Sequence, residues 1–264
     1  HIIESGSAAR RIVERFPELE SREALESLVR SEIDEKTEGR FDDLSIDVQI
    51  MIREGYAADQ LLDTVQTLKP ELVIMGKKTE FTGDGDLPKQ ILKYVPASIL
   101  LVSEQARHRL NNALVPVDFS ELSAKGIDVA QTLVKSGGGG VIALHIYRYR
   151  TQFFPYILSD EEKERVDREV EIKKAAFIDA YNISPEVQIV MTRSSGEQVA
   201  DIVYELAHSR RVDIIVAVSK AKRFPGIIRR DFIDRLVDYP FDIPLLIPKN
   251  RVRHQRLLES MFKR

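Results

Sequence analysis

The feature that most constrains the fold of this sequence is an internal repeat of short apolar segments. Three segments of the first half return in the same order in the second half, at offsets of 139, 142 and 145 residues. The pairs are Val48–Met51 with Val187–Val190, Glu71–Met75 with Asp213–Ala217, and Leu100–Val102 with Leu245–Ile247. Shared order and spacing predict a duplicated structural unit.

Segments with helical spacing of apolar residues separate these short runs. One stripe recurs in each half: Ala58, Leu61, Leu62, Val65 and Leu68 in the first, and Val199, Ile202, Val203 and Leu206 in the second. In the second half we expect strands near 113–117, 141–147, 186–191, 213–218 and 244–247, and helices near 122–135, 160–181, 197–209 and 232–239. Continuous Val/Ile/Leu runs between helices predict a parallel sheet with strands buried on both faces. The predicted fold class is α/β.

The first half does not contain the whole repeating unit. His1-Ile2 matches His145-Ile146, so the counterpart of residues 111–144 would lie before His1. That segment contains the strand that lies in the middle of a doubly wound sheet, and its neighbours need it for their ladder hydrogen bonds. We therefore expect either that the native polypeptide extends upstream of His1 or that another chain supplies the strand.

Length and composition bound the other possibilities. The 264 residues suggest two domains, which we place at 1–104 and 111–250, followed by a basic C-terminal helix at 251–264. That tail is expected to cover its own domain, with docking on a partner or membrane as the alternative. The net charge of −3 argues against binding of nucleic acid or a membrane surface by the molecule as a whole. With no cysteine and no long apolar stretch, we expect a soluble cytoplasmic protein.

One motif connects the repeat to a known family. The run Leu114-Val115-Pro116-Val117-Asp118-Phe119-Ser120-Glu121 resembles the opening strand and turn of universal stress protein domains. The resemblance implies two doubly wound parallel five-stranded sheets of order 3-2-1-4-5 that form a pseudo-dimer. It also implies contact between the copies through their last strands, 98–103 and 243–248. A homodimer, or a complex with a protein partner, is expected through the same strands.

The resemblance also implies a site for an adenine nucleotide. Asp118 would contact adenine beside Pro116 and Val117, with Gly196 across the cleft. Members that bind ATP follow the fourth strand with a glycine motif, whose bare backbone amides hold the phosphates. In the second copy the three glycine positions fall on Val218, Ala221 and Asp231, and the hydroxyl position on Phe232. The phosphate cradle is therefore expected to be lost.

The first copy keeps Gly76 and a Gly85-Asp86 pair, but the loop between them is four residues too short for the motif. Asp86 and Asp231 are interpreted as helix N-caps rather than ligand contacts. The acid-free stretch from Ser219 to Arg230 contains five cations, among them Lys220 and Lys222, which offer the remaining support for a phosphate. A solvated basic loop is the preferred interpretation of that stretch.

Other constellations favour structural roles. The Ser136–Gly140 turn leaves a helix and enters a strand, the reverse of a phosphate loop. The five histidines stand singly, without spacing for a metal, and His145 is expected to be a hydrogen-bonded core residue. We expect a non-catalytic stress-response protein with no bound cofactor, acting by dimerisation or partner binding. The alternative is an adenine-nucleotide sensor or weak ATPase that binds ATP or AMP through Asp118 and the basic loop.

Overall fold

The computed structural model describes residues 1–3, 21–40, 47–77, 87–107, 109–149, 158–195, 197–218, 230–240 and 242–249. The chain divides into two compact units, His1–Lys69 and Pro70–Arg264. This division falls inside the segment predicted as the first domain, 1–104. The predicted boundary between 104 and 111 stays a prediction.

The first unit contains two short strands and two helices. They are β1 (Ile2–Ile3), α1 (Arg22–Thr37), β2 (Arg53–Glu54) and α2 (Ala57–Leu68). The strands are parallel, with Ile2 opposite Arg53 and Ile3 opposite Glu54. The repeated segment Val48–Met51 lies just before β2, and the carbonyl of its last residue, Met51, accepts from the amino group of His1 at 2.7 Å. In the apolar stripe of α2, Val65 is buried, Ala58, Leu61 and Leu62 are half-buried, and Leu68 is exposed.

The second unit carries the main sheet. Its strands are β3 (Leu72–Lys77), β4 (Ser98–Ser103), β5 (Ala113–Pro116), β6 (Val141–Tyr147), β7 (Gln188–Arg193), β8 (Ile214–Val216) and β9 (Leu245–Ile247). Its helices are α3 (Leu87–Tyr94), α4 (Glu121–Val134), α5 (Asp160–Tyr181), α6 (Val199–Ser209) and α7 (Arg230–Asp238). Apart from β4 and β5, which follow each other directly, the described chain alternates strand and helix, as expected for an α/β fold.

The sheet has seven strands in the order β3-β4-β9-β8-β5-β6-β7. Every neighbouring pair is parallel except β4 with β9. The five strands of the second half, β7-β6-β5-β8-β9, follow one another in the order 3-2-1-4-5. The arrangement differs from two separate sheets, since β3 and β4 of the first half join these five strands and β1 and β2 form a two-stranded sheet. Main-chain hydrogen bonds across the last strands cause the merger, which a pattern within one strand does not reveal.

The two halves join at the two strands that the resemblance to universal stress proteins predicted. Leu100 of β4 lies opposite Leu246 of β9, with Ile99 opposite Ile247 and Leu101 opposite Leu245. All three pairs come from the predicted segments 98–103 and 243–248, and they lie within one chain. Association of a second chain through these strands stays a prediction.

Local sequence signals account for the ends of the helices. α5 begins with a capping box, in which Glu162 donates its amide to the Ser159 hydroxyl at 3.2 Å and its carboxylate accepts from the Ser159 amide at 2.8 Å. The Ser136–Gly140 turn is structural, as expected: a Cβ placed on Gly139 would overlap the main-chain carbonyl of Asn111. Only glycine permits that approach of the two segments.

A buried carboxylate ties the start of β8 to the segment that precedes β5. The Asp213 side chain is fully buried and accepts from the backbone amides of Asn111 and Asn112 at 3.0 and 3.1 Å. The Arg109 guanidinium donates to it at 3.0 Å. These bonds satisfy a charge that would otherwise be costly to bury, and they fix the two central strands relative to each other.

Candidate functional site

The candidate site lies at the carboxyl ends of β5, β6 and β8, the position at which open α/β sheets bind ligands. Pro116 ends β5 and is buried, and Val117 follows it with 4% of its surface exposed. The Val117 amide donates to the carbonyl of Leu144 at 2.8 Å, which holds the strand end against β6. The side chains of Pro116 and Val117 are therefore part of the core, and their backbone positions the turn that follows.

Asp118 is engaged by the helix that it precedes. Its Oδ1 accepts from the Ser123 hydroxyl at 2.8 Å and from the Ser120 amide at 3.3 Å. In return the Asp118 amide donates to the Ser123 hydroxyl at 2.9 Å. Ser120 is the N-cap of α4 and accepts from the Ser123 amide. The carboxylate expected to contact adenine therefore stabilises the start of a helix.

Phe119 adopts a backbone conformation that bulky residues rarely populate, with φ of +60°. The conformation turns its ring onto the imidazole of His145, with ring centroids 4.0 Å apart and planes 22° from parallel. The ring of Phe177 in α5 lies 5.4 Å from the Phe119 ring. The strained residue therefore closes an aromatic cluster beside Asp118, and such strain concentrates at sites with a specific role.

His145 is a hydrogen-bonded core residue, as the sequence suggested. It is 6% exposed, and its Nδ1 lies 2.9 Å from the carbonyl oxygen of Val117. Burial lowers the pKa of the imidazole from its usual 6.5, and the bond to Val117 and the charge of Asp118 oppose that shift. The neutral ring is therefore the form that the fold favours.

The residue at the first glycine position of the phosphate motif is packed into the protein. Val218 is 8% exposed, and its Cγ1 lies 3.2 Å from where a Cβ on Gly126 of α4 would stand. The valine therefore fills the space between the end of β8 and α4, and Gly126 allows that approach. Phe232, at the hydroxyl position, is 5% exposed.

Asp231 lies in the first turn of α7, which begins at Arg230, and not at the N-cap expected for it. The helix starts earlier than the apolar pattern indicated. Several predicted positions lie outside the described residues: Gly196, Lys220, Lys222, Ala221, Gly85, Asp86 and the tail 251–264. The described part of the site is the side formed by β5, β6, β8 and α4.

The structure shows a polar aromatic cluster beside the site that the sequence patterns did not predict. The hydroxyls of Tyr147 and Tyr149 donate to the two oxygens of Asp167 in α5 at 2.9 and 2.8 Å. Arg193 donates to the Tyr149 hydroxyl at 3.3 Å and lies over its ring. Burial and the Asp167 carboxylate raise the pKa of Tyr147 to about 12. The sequence indicates this cluster only through Tyr147 and Tyr149, which stand two residues apart at the end of β6.

A small pocket lies at the amino end of β8, away from the candidate site at the carboxyl ends of the strands. It is lined by Arg107, His208, Arg211, Asp213 and Asp242. Within the described ranges, no group of three or more His, Asp or Glu side chains is arranged to hold a metal ion. Among the helices that the structure describes, none combines the length and apolar character needed to cross a membrane.

Comparison with known proteins agrees with this geometry. Residues 110–238 match the model of the universal stress protein family. No curated protein matches the chain in sequence. The match spans the part of the chain that contains β5 to β8 and α4 to α7.

Solved structures resemble the chain over most of its length. A universal stress protein from Archaeoglobus fulgidus has a TM-score of 0.57 at 16% identity, covering 94% of this chain and 85% of its own. A functionally unknown protein from Pseudomonas aeruginosa has 0.58 at 12% identity, covering 99% and 85%. A proposed universal stress protein from the same species has 0.56 at 12% identity, covering 100% and 96%. At such low identity these likenesses establish the α/β fold alone.

Proposed function

We propose that this chain is a non-catalytic universal stress protein whose second copy does not hold a nucleoside triphosphate, and which acts by associating with another polypeptide. The observation that carries the proposal is the burial of Val218 against Gly126. A phosphate cradle requires bare backbone amides at that place. A side chain that is part of the core does not leave the backbone open to phosphate oxygens.

The engagement of Asp118 supports the same proposal. Its Oδ1 already accepts from Ser123 and Ser120, so this oxygen is committed to the start of α4. A base that took Oδ1 as its acceptor would break these bonds and cost the domain about 1 kcal/mol or more. Binding of a nucleotide through that oxygen would therefore have to offset a local loss of stability.

The chemistry of the described residues also favours a non-catalytic role. The imidazole of His145 is buried and bonded to a backbone carbonyl, and its surroundings include the stacked ring of Phe119. A general base needs to reach the proton that it removes within hydrogen-bond distance. His145 faces its own core, so its placement fits a packing role.

Isothermal titration calorimetry with ATP, ADP and AMP tests the proposal on the intact chain. We expect no saturable heat at micromolar protein with any of the three nucleotides. Micromolar ATP binding that is lost in Asp118→Ala would contradict the proposal and favour the nucleotide sensor. Asp128→Ala, an exposed carboxylate on the same helix, is the matched control, because it changes the charge of α4 without touching the site.

A further inference from the structure

The amine at the end of β3 lies against the end of a helix from the second half of the chain. Lys77 is the last residue of β3 and is half-buried. Its amine donates to the carbonyl of Tyr239, the residue that follows α7. The Tyr239 ring stacks on the ring of Tyr204 in α6, with centroids 4.3 Å apart, and this stacking holds the helix end. The amine is therefore fixed at a helix C-terminus, where carbonyls lack donors within the helix.

Two effects act in opposite directions on the charge of this amine. Burial lowers the pKa of Lys77 from its usual 10.5 to about 8, and the carboxylate of Asp238 opposes that shift. Asp238 also pairs with Lys89 of α3 at 2.7 Å, so its charge acts on both lysines. At pH 7 roughly a tenth of the Lys77 amines are then uncharged, against fewer than about one in a thousand for an ordinary lysine. A desolvated, uncharged amine is a nucleophile.

A buried hydroxyl without a partner lies on the neighbouring strand. Ser103 ends β4 and is the register partner of Lys77 in the parallel pair, so the two side chains leave strands about 5 Å apart on the same face of the sheet. Ser103 is 6% exposed, and among the described residues its Oγ has no hydrogen-bond partner. Buried hydroxyls ordinarily have one. The fold therefore places an available O–H donor beside the strand that carries the amine.

The charges around the amine decide which electrophile suits it. Carboxylation or phosphorylation of the amine would put a negative charge beside Asp238, and acylation would remove the positive charge that this carboxylate attracts. Condensation with an aldehyde gives an iminium ion, which keeps the positive charge and one N–H. The attraction to Asp238 and the bond to the Tyr239 carbonyl then both persist. Because Lys77 is half-buried, the aldehyde that reaches it is small.

We propose that Lys77 and Ser103 form a site at which a small aldehyde condenses reversibly with the Lys77 amine. The amine nitrogen attacks the carbonyl carbon while the Ser103 hydroxyl donates to the carbonyl oxygen, and a proton passes from nitrogen to that oxygen to give a carbinolamine. The carbinolamine takes up a proton from solvent and loses water, which leaves a protonated C=N bond. Hydrolysis reverses both steps, so the site holds the aldehyde without turning it over.

Reductive trapping on the full chain tests the site. The protein is incubated at pH 7 with propanal and cyanoborohydride, which reduces iminium ions to stable amines, and the labelled lysines are located by mass spectrometry of peptides. We expect Lys77 to be labelled at least about tenfold faster than Lys93, an exposed lysine of α3. Without the reductant, dialysis should return the protein to its original mass, because a Schiff base hydrolyses. Equal labelling of the two lysines would overturn the proposal.

Ser103→Ala separates the hydroxyl from the amine. The variant removes a group that has no partner among the described residues, so the fold should persist, which circular dichroism checks. We expect labelling of Lys77 to slow at least about fivefold, with labelling of Lys93 unchanged. Nuclear magnetic resonance titration of ¹³C-labelled lysine should give Lys77 a pKa of about 8 in both proteins, with Lys77→Arg identifying the signal. Slower labelling then reflects the lost donor and not a changed amine.

Each other result contradicts the site. A titration midpoint above about 10 for Lys77 would show an ordinary lysine, and an unchanged labelling rate in Ser103→Ala would remove the hydroxyl from the reaction. A midpoint near 8 without labelling of Lys77 would show that the aldehyde does not reach the amine. No nucleotide and no second polypeptide takes part in these readouts, so failure of this inference leaves the calorimetric test of the proposed function independent.

Discussion

The engagement of Asp118 with α4 predicts that its removal weakens the fold. In Asp118→Ala, the Ser123 hydroxyl loses a charged acceptor at 2.8 Å and the Ser120 amide loses a partner at 3.3 Å. Hydrogen bonds to charged groups contribute about 1.5–3 kcal/mol, and the lower part of that range applies because Asp118 is only half-buried. We expect the free energy of unfolding to fall by about 2 kcal/mol.

Urea unfolding followed by far-ultraviolet circular dichroism measures this loss. A double-mutant cycle with Ser123→Ala isolates the pair, since the two residues bond to each other in both directions. We expect a coupling energy of about 1–2 kcal/mol. Asp128→Ala is the control and should change stability by less than about 0.5 kcal/mol. The reasoning would be refuted by an Asp118→Ala protein as stable as the parent, with no coupling to Ser123.

Three further predictions concern buried side chains of the second unit. Asp213→Ala leaves Arg109 and two backbone amides without their acceptor, so the free energy of unfolding in urea should fall by about 3–5 kcal/mol. A loss of less than about 1 kcal/mol would contradict this network. Val218→Ala should cost about 1–2 kcal/mol in the same assay, whereas no change would place that side chain in solvent. The fold lowers the pKa of His145, so the stability that this histidine contributes is present above pH 6.5 and is lost as the pH falls below that value. The His145→Phe protein should therefore lose less stability than the parent between pH 7.5 and 5.5. An equal loss in the two proteins would refute the assignment.

The sequence predicted the second half of the fold well because its local signals agree with one another. Continuous Val/Ile runs marked the strands β6 and β8, and the Ser159 capping box marked the start of α5. Each of these features depends on residues within a few positions. The helix starting at Arg230 was predicted two residues late, since its first two residues, Arg230 and Asp231, are charged.

The pairing of strands that are distant in sequence could not be predicted from local patterns. The two halves share one sheet through the antiparallel pairing of β4 with β9, in which Leu100 lies opposite Leu246. Apolar patterns identify a strand but leave its neighbour open, because main-chain hydrogen bonds carry no side-chain signature. The resemblance to universal stress proteins indicated the segments 98–103 and 243–248, and periodicity by itself did not.

At the site, the residue types at the motif positions predicted the loss of a phosphate cradle, but the sequence did not predict the backbone conformation beside it. Val218 and Phe232 at glycine and hydroxyl positions indicated the loss of a phosphate cradle, and both are buried in the structure. The left-handed backbone of Phe119 and its stacking on His145 have no sequence signal, since only tertiary packing selects that conformation. The role of Ser123 likewise depends on how the turn at Asp118 folds back onto α4.

A crystal structure of the protein grown with millimolar ATP tests the central claim most directly. We predict that Val218 remains packed against Gly126, that Asp118 remains bonded to Ser123, and that no nucleotide lies between Val218 and Phe232. A triphosphate bound between those two residues, against the backbone at the end of β8, would contradict the account.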